Sequence, residues 1–177
     1  MEYALLGLLL RDDLTIYQMK KIFELSFSMV YGDSYGSLQS ALKRAMAKGW
    51  IDKEAFEGAG RRKMPYRITQ AGRQRFFDWM MEEIPAGKLE TTALTKLYFL
   101  GELKHSQRLQ VLKHIQQLAA QLRQIMLGVH ELNAPWHDSA EPWVRYRLSM
   151  LDYALVQVEA SLQFFDRLLT REQAQAE

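Results

Sequence analysis

Histidine is the side chain best suited to acid–base or metal chemistry near neutral pH, and this chain has four: His105, His114, His130 and His137. None stands in a metal-ligand spacing such as H-E-x-x-H, and there is no cysteine to complete a zinc set. His130-Glu131 and His137-Asp138 flank a turn between helices and read as surface residues. A strained nucleophile turn of the G-x-S-x-G kind is absent. The triplet Gly58-Ala59-Gly60 lacks the third glycine and the following helix start of a nucleotide loop. The expectation is a protein that is not an enzyme, with no catalytic residue, no metal and no cofactor.

The chemistry that the residues do offer is recognition of a polyanion. From Asp33 to Arg75 ten basic residues stand against four acidic ones, a surplus of six. After Pro85 ten basic residues balance ten acidic ones. A basic first half joined to a neutral second half points to a nucleic-acid partner for the first half only. Two clusters carry this chemistry. One is Ser34, Tyr35, Ser37, Gln39, Ser40, Lys43 and Arg44. Glutamine pairs with adenine edges, serine bonds to base edges or phosphate, and lysine and arginine reach guanine or phosphate. The other is Arg61, Arg62 and Lys63 beside Gly58 and Gly60, where a tight loop presents three cations to a phosphate backbone or a minor groove.

These clusters need elements to position them. Ala4, Leu5, Leu8 and Leu9 repeat at helical spacing and predict a first helix. Thr15 is a suitable N-cap for a second helix from Ile16 to about Ser28, with Ile16, Met19, Ile22 and Phe23 inward. Ser34 can cap a third, in which Leu38, Ala41, Leu42, Ala45 and Met46 form one apolar stripe. That stripe leaves the first cluster on the outer surface, and Gly49 ends the helix. The period then changes. Trp50–Glu54 and Pro65–Ile68 read as the two strands of a hairpin whose loop holds the second cluster. Thr69 caps a fourth helix with Phe76, Phe77, Met80 and Met81 inward. Three helices, a hairpin and a helix are the order of a winged helix-turn-helix.

Ile84-Pro85-Ala86-Gly87 marks the best boundary, dividing a winged domain over 1–85 from a helical domain over 86–177. A shorter helix is expected around Thr92 to Leu103. Val111, Ile115, Leu118, Leu122, Ile125, Val129 and Leu132 then alternate four- and three-residue steps, as do Val144, Leu148, Leu151, Leu155, Val158, Leu162, Phe165 and Leu169. Matched 3.5-residue seams predict an antiparallel helical hairpin. A hairpin only two helices thick leaves apolar surface wet, so a second copy of the chain is the expected partner, as a homodimer. The fold class is mainly α with a small β-hairpin.

Tyr98, Phe99, Trp136, Trp143, Tyr146, Tyr153, Phe164 and Phe165 make the second half rich in aromatics. They either pack the core and dimer interface or line a pocket for a small effector, for which Tyr98, Phe99 and Trp143 are the candidates. At 177 residues, 48% of them hydrophobic and 25% charged, the composition is that of a folded protein. No apolar run is long enough to span a bilayer. The apolar stretch Tyr3–Leu10 follows Glu2 and lacks the basic leader of a signal peptide. A cytoplasmic location is expected, with no membrane partner.

The segments ALLGLLL at Ala4–Leu10, YGSLQSALKRAMAKGWI at Tyr35–Ile51 and RRKMPYRITQAGRQRFFDW at Arg61–Trp79 resemble the DNA-binding domain of PadR-type transcriptional regulators. The family pattern Y-G-S-L-Y-P-A-L-K-R is matched at Tyr35, Gly36, Ser37, Leu38, Ala41, Leu42, Lys43 and Arg44. The wing pattern K-x-Y-x-[IL]-T-x-x-G is matched at Lys63, Tyr66, Ile68, Thr69 and Gly72, with one extra residue before Tyr66. Gln39 and Ser40 replace the usual Tyr-Pro, and Ile16 stands where a glycine is common. The neutral helical half resembles the longer subfamily, whose C-terminal helices dimerise. The resemblance implies a repressor that binds a pseudo-palindromic DNA operator and is released by a small aromatic or lipophilic compound. Two other functions fit the same residues: an activator, and a winged-helix scaffold that binds protein and not DNA.

Overall fold

The computed structural model describes residues 1–31, 35–53, 64–85 and 87–175. Helix α1 (Glu2–Leu8) is followed by α2 (Ile16–Ile22), whose Thr15 N-cap makes a full capping box with Gln18. The helix does not stop near Ser28. It widens into a π-helical turn, Phe23–Phe27, and resumes as α3 (Ser28–Tyr31). The reason lies in an aromatic step of four: Phe23, Phe27 and Tyr31 would drift around a regular α-helix, and the wider turn holds them on one face. Their ring centroids lie 5.1 Å (Phe23–Phe27) and 6.0 Å (Phe27–Tyr31) apart.

Helix α4 (Tyr35–Ala47) buries Leu38, Ala41, Leu42 and Ala45 as the stripe requires. Met46 departs from that expectation. It lies past the edge of the stripe in the last turn and is 41% exposed. Gly49, at φ 67°, ends the helix. Its N–H donates to the Met46 carbonyl and that of Trp50 to the Ala45 carbonyl, the paired bonds of a Schellman cap.

Strands β1 (Ile51–Lys53) and β2 (Tyr66–Ile68) pair antiparallel with Ile51 opposite Ile68. Leu14 adds a one-residue third strand through two backbone bonds with Tyr66. A single residue leaves no period to read, so the sequence does not announce it. Helix α5 (Gln70–Met81) starts at Thr69, whose hydroxyl accepts from the Gly72 N–H and donates to the Gly49 carbonyl. It buries Phe76, Trp79 and Met80, with Phe77 and Met81 only half-buried.

Helix α6 (Leu89–Tyr98) belongs to the winged unit, although the chain passes Pro85 and Gly87 to reach it. The Thr95 hydroxyl bonds the Tyr31 hydroxyl at 2.8 Å, and the Phe99 ring lies against Gly7, where any side chain would collide with it. The compact units are therefore Met1–Glu82 with Glu90–Phe99, and Glu83–Leu89 with Leu100–Glu177. The chain thus leaves the first unit after Glu82, runs through Pro85 and Gly87 as part of the second, and returns to the first with α6, where Thr95 and Phe99 meet Tyr31 and Phe27.

The second unit is a helical hairpin of α7 (His105–Leu132) and α8 (Pro142–Ala174). Polar rungs fix its antiparallel register. Gln116 bonds Asp166, Arg123 bonds Glu159, and His130 bonds Asp152, each rung seven residues from the next on both helices. The seam on α8 follows its expected positions, from buried Val144 to half-buried Leu169. On α7 the buried set is Val111, Leu112, Ile115 and Ala119, while Ile125 and Leu132, expected in the seam, are 60% and 80% exposed. A single partner helix covers only one side of a 3.5-residue seam, and a straight helix drifts away from it by about 20° per heptad.

Candidate nucleic-acid interface

The winged unit holds α4 in place through its buried face and through α1. Among the described residues, Ser37, Gln39, Ser40, Lys43 and Arg44 are all exposed on α4, as expected of a reading helix. Tyr35 opens the helix. Ser34, Arg61, Arg62 and Lys63 lie outside the described residues. The helical period sorts the exposed set further. Gly36, Ser40, Lys43 and Ala47 form the line facing directly away from the core. Gln39 lies on one flank, and Ser37, Arg44 and Lys48 share the other, which borders α1.

That second flank is not free. Glu2 accepts from Arg44 Nε and, at 2.8 Å, from Lys48 Nζ. Lys48 also sits 4.3 Å from the Trp50 ring centroid. Burial alone would raise the Glu2 carboxyl, but hydrogen bonds and charge from Lys48 and Arg44 outweigh it and hold the group below its ordinary value. The acid was invisible as a site residue in the sequence, since 42 residues separate it from Arg44.

Behind the hairpin, aromatic rings tie the elements together. Tyr3 stacks on Trp79 at 4.6 Å and on Trp50 at 6.1 Å. The Arg75 guanidinium covers Tyr3 at 4.9 Å and pairs with Glu82. Arg67 on β2 bonds Asp13 through Nε and Nη2, and Arg73 donates to the Leu10 carbonyl, so these two cations serve the packing of the wing base. Lys96 is 1% exposed, donates to the Glu82 carbonyl and lies 5.4 Å from the Trp79 ring centroid. Burial, partly offset by Glu82, lowers its pKa to about 8.

Of the effector candidates, Tyr98 and Phe99 belong to the winged unit and touch, with centroids 4.8 Å apart. Phe99 is buried against Phe27, Phe76 and Gly7, whereas Tyr98 is half-exposed over Phe27. Trp143 belongs to the second unit and is exposed, with the Arg147 guanidinium over its ring. An open cavity of about 350 Å³ near the hairpin turn is lined by His130, His137, Arg145, Leu148, Ser149 and Asp152. Its wall is mostly polar, and the His130 and His137 rings meet edge to face there with centroids 4.5 Å apart. Among the described residues no group of three or more histidines and carboxylates has the geometry to hold a metal ion, and no helix is long and apolar enough to cross a membrane.

The first unit is thus a winged helix-turn-helix and the second an antiparallel helical hairpin. The chain is similar to PadR-type transcriptional regulators. The negative transcriptional regulator PadR of Bacillus subtilis (strain 168) is 25% identical over 145 residues, 80% of this chain and 78% of that protein. Solved structures similar to the chain include Bacillus subtilis PadR in complex with operator DNA, at 21% identity and TM-score 0.44 over 97% of this chain and 98% of that one. They also include the same protein with p-coumaric acid (20%, TM-score 0.42, 97% and 94%) and the PadR-like regulator BC1756 of Bacillus cereus (20%, TM-score 0.42, 98% and 98%). No family model matches the chain.

Proposed function

We propose that this chain is a sequence-specific DNA-binding transcriptional repressor that acts as a homodimer and is released by a small aromatic or lipophilic compound. The observation that carries the reading is α4. Its core-facing stripe is buried and its opposite face is a polar, exposed line of Ser40 and Lys43 flanked by Gln39, at the head of a hairpin with a basic loop. Similarity to a negative transcriptional regulator over four-fifths of the chain supports the sign of regulation. The bases would be read by Ser37, Gln39, Ser40 and Lys43, with Ser34 and Tyr35 at the helix start. Arg61, Arg62 and Lys63 on the loop would follow the phosphates.

Dimerisation is assigned to the second unit. Trp143, Tyr146, Met150, Tyr153 and Phe164 stand exposed along α8 beside the stripe that faces α7, and Ile125 and Leu132 are exposed on α7. A contiguous apolar face of that length needs a cover, and a second copy offers the matching one. The effector would be sensed near Tyr98 and Phe99, with Trp143 as a further candidate contact.

The test is fluorescence anisotropy with duplexes from the region upstream of the protein's own gene and with random duplex, titrated with salt and then with phenolic acids and lipophilic cations. Preference for one duplex, a steep salt dependence and release by a compound are expected. Equal, salt-independent binding to every duplex would sink the reading.

A further inference from the structure

We infer that Glu2 is a charge brake on the reading helix: it holds Arg44 and Lys48 away from DNA phosphates and so lowers affinity for non-cognate DNA. The inference rests on the DNA-binding reading above. Its motive is geometric. One carboxylate, three-quarters or more withdrawn from solvent, engages both cations with its two oxygens, while the cations themselves stay about half-exposed. They therefore sit four residues apart on one flank, Arg44 on α4 and Lys48 in the turn that ends it, yet their charge is answered from within the winged unit.

The consequence follows from how DNA affinity is built. Non-specific binding is almost entirely phosphate neutralisation, and each neutralised phosphate adds about −0.9 to the slope of log affinity against log salt. A lysine and an arginine that are already paired add little to that slope, because approaching a phosphate means giving up the carboxylate. The base-reading line of Ser40 and Lys43, with Gln39 beside it, is untouched by the pairing. Specific contacts are kept while sequence-independent attraction is trimmed, which widens the ratio between cognate and random DNA. The device is built from an acid on α1 and two bases at the C-terminal end of α4 and in the turn after it, 42 and 46 residues away.

The experiment compares full-length wild type, Glu2→Gln, Glu24→Gln and the triple variant Glu2→Gln/Arg44→Ala/Lys48→Ala on a random-sequence duplex of 30 base pairs. Glu24→Gln makes the same change of charge where the acid pairs with Lys20 and not with α4. Affinity is measured across about 50 to 200 mM salt, with folding checked by circular dichroism. Glu2→Gln is expected to bind random duplex several-fold more tightly at the low-salt end, with a slope steeper by about 0.9 to 1.8, one or two phosphates' worth. The triple variant should lose that gain, and Glu24→Gln should show less of it. A folded Glu2→Gln protein with the wild-type slope would overturn the role of Glu2, as would a gain that survives in the triple variant. A wild type with no salt dependence would instead overturn the DNA-binding reading beneath it.

Discussion

Gly72 lies one turn into α5, where the chain passes beneath the carbonyl of Trp50. A Cβ built there would stand 2.0 Å from that oxygen, which is backbone and cannot swing aside. Gly72→Ala should therefore destabilise the protein by at least the ~1–3 kcal/mol typical of overpacking, read as a lower urea midpoint. Lys96 makes a different prediction, because its environment favours the neutral amine. Its pKa of about 8 in the folded protein lies below the ordinary 10.5, so between those values the unfolded chain binds more protons than the folded one. The contribution of this group to stability thus rises with pH across about 8 to 10.5 and is smallest below 8. Lys96→Met removes the titration. Denaturation curves collected from pH 7 to 10 should show a flatter pH dependence for the variant, and parallel curves would contradict the assignment.

At the level of elements, the α7–α8 hairpin is held in register by polar rungs and by a node near its base. Glu172 pairs there with Arg108 and with His105 Nδ1 at 2.9 Å. The Arg108 guanidinium, offset by burial and joined by His105, keeps the Glu172 carboxyl below its ordinary value. A depressed carboxylate stabilises above its unfolded pKa, near 4.5, and that contribution is lost as pH falls through the folded value. Glu172→Gln should lower helical-unit stability at neutral pH and lose less of it on acidification, so the two melting temperatures should converge below pH 4. In the winged unit, Thr69 joins two elements, capping α5 while bonding the Gly49 carbonyl that ends α4. Thr69→Ala is expected to cost about 1 to 2 kcal/mol, the upper range for a lost N-cap, since a second bond goes with it.

For the whole molecule, the exposed apolar face of α8 is where the proposed assembly bears on the proposed DNA binding. Tyr146 and Met150 are exposed one turn apart near its N-terminal end. Replacing both with Asp puts two charges into the proposed interface while leaving the α7 seam unchanged. Light scattering should then report a monomer, and operator affinity should fall by more than tenfold, because the second half-site no longer binds as part of one molecule. A stable dimer in that variant would place the interface elsewhere. The same experiment separates assembly from folding, since far-ultraviolet circular dichroism should not change.

Local rules determined much of this protein. Thr15, Thr69 and Gly49 are caps whose partners lie within a few residues or at the next element, so they announce helix ends in the sequence. The α4 stripe and the α8 seam are periodic, and periodicity survives folding because one face of each helix meets one neighbour. Helix α4 and its exposed polar set are legible for that reason. Tertiary structure decided what depends on distant partners. Glu2 meets Arg44 and Lys48 across more than forty residues, Leu14 joins β2 as a lone bridge, and α6 packs in the winged unit through Tyr31, Thr95 and Phe99. Phe23, Phe27 and Tyr31 bend the helix period itself to suit that packing. No local propensity encodes such pairings, because their energy exists only once the elements have been brought together.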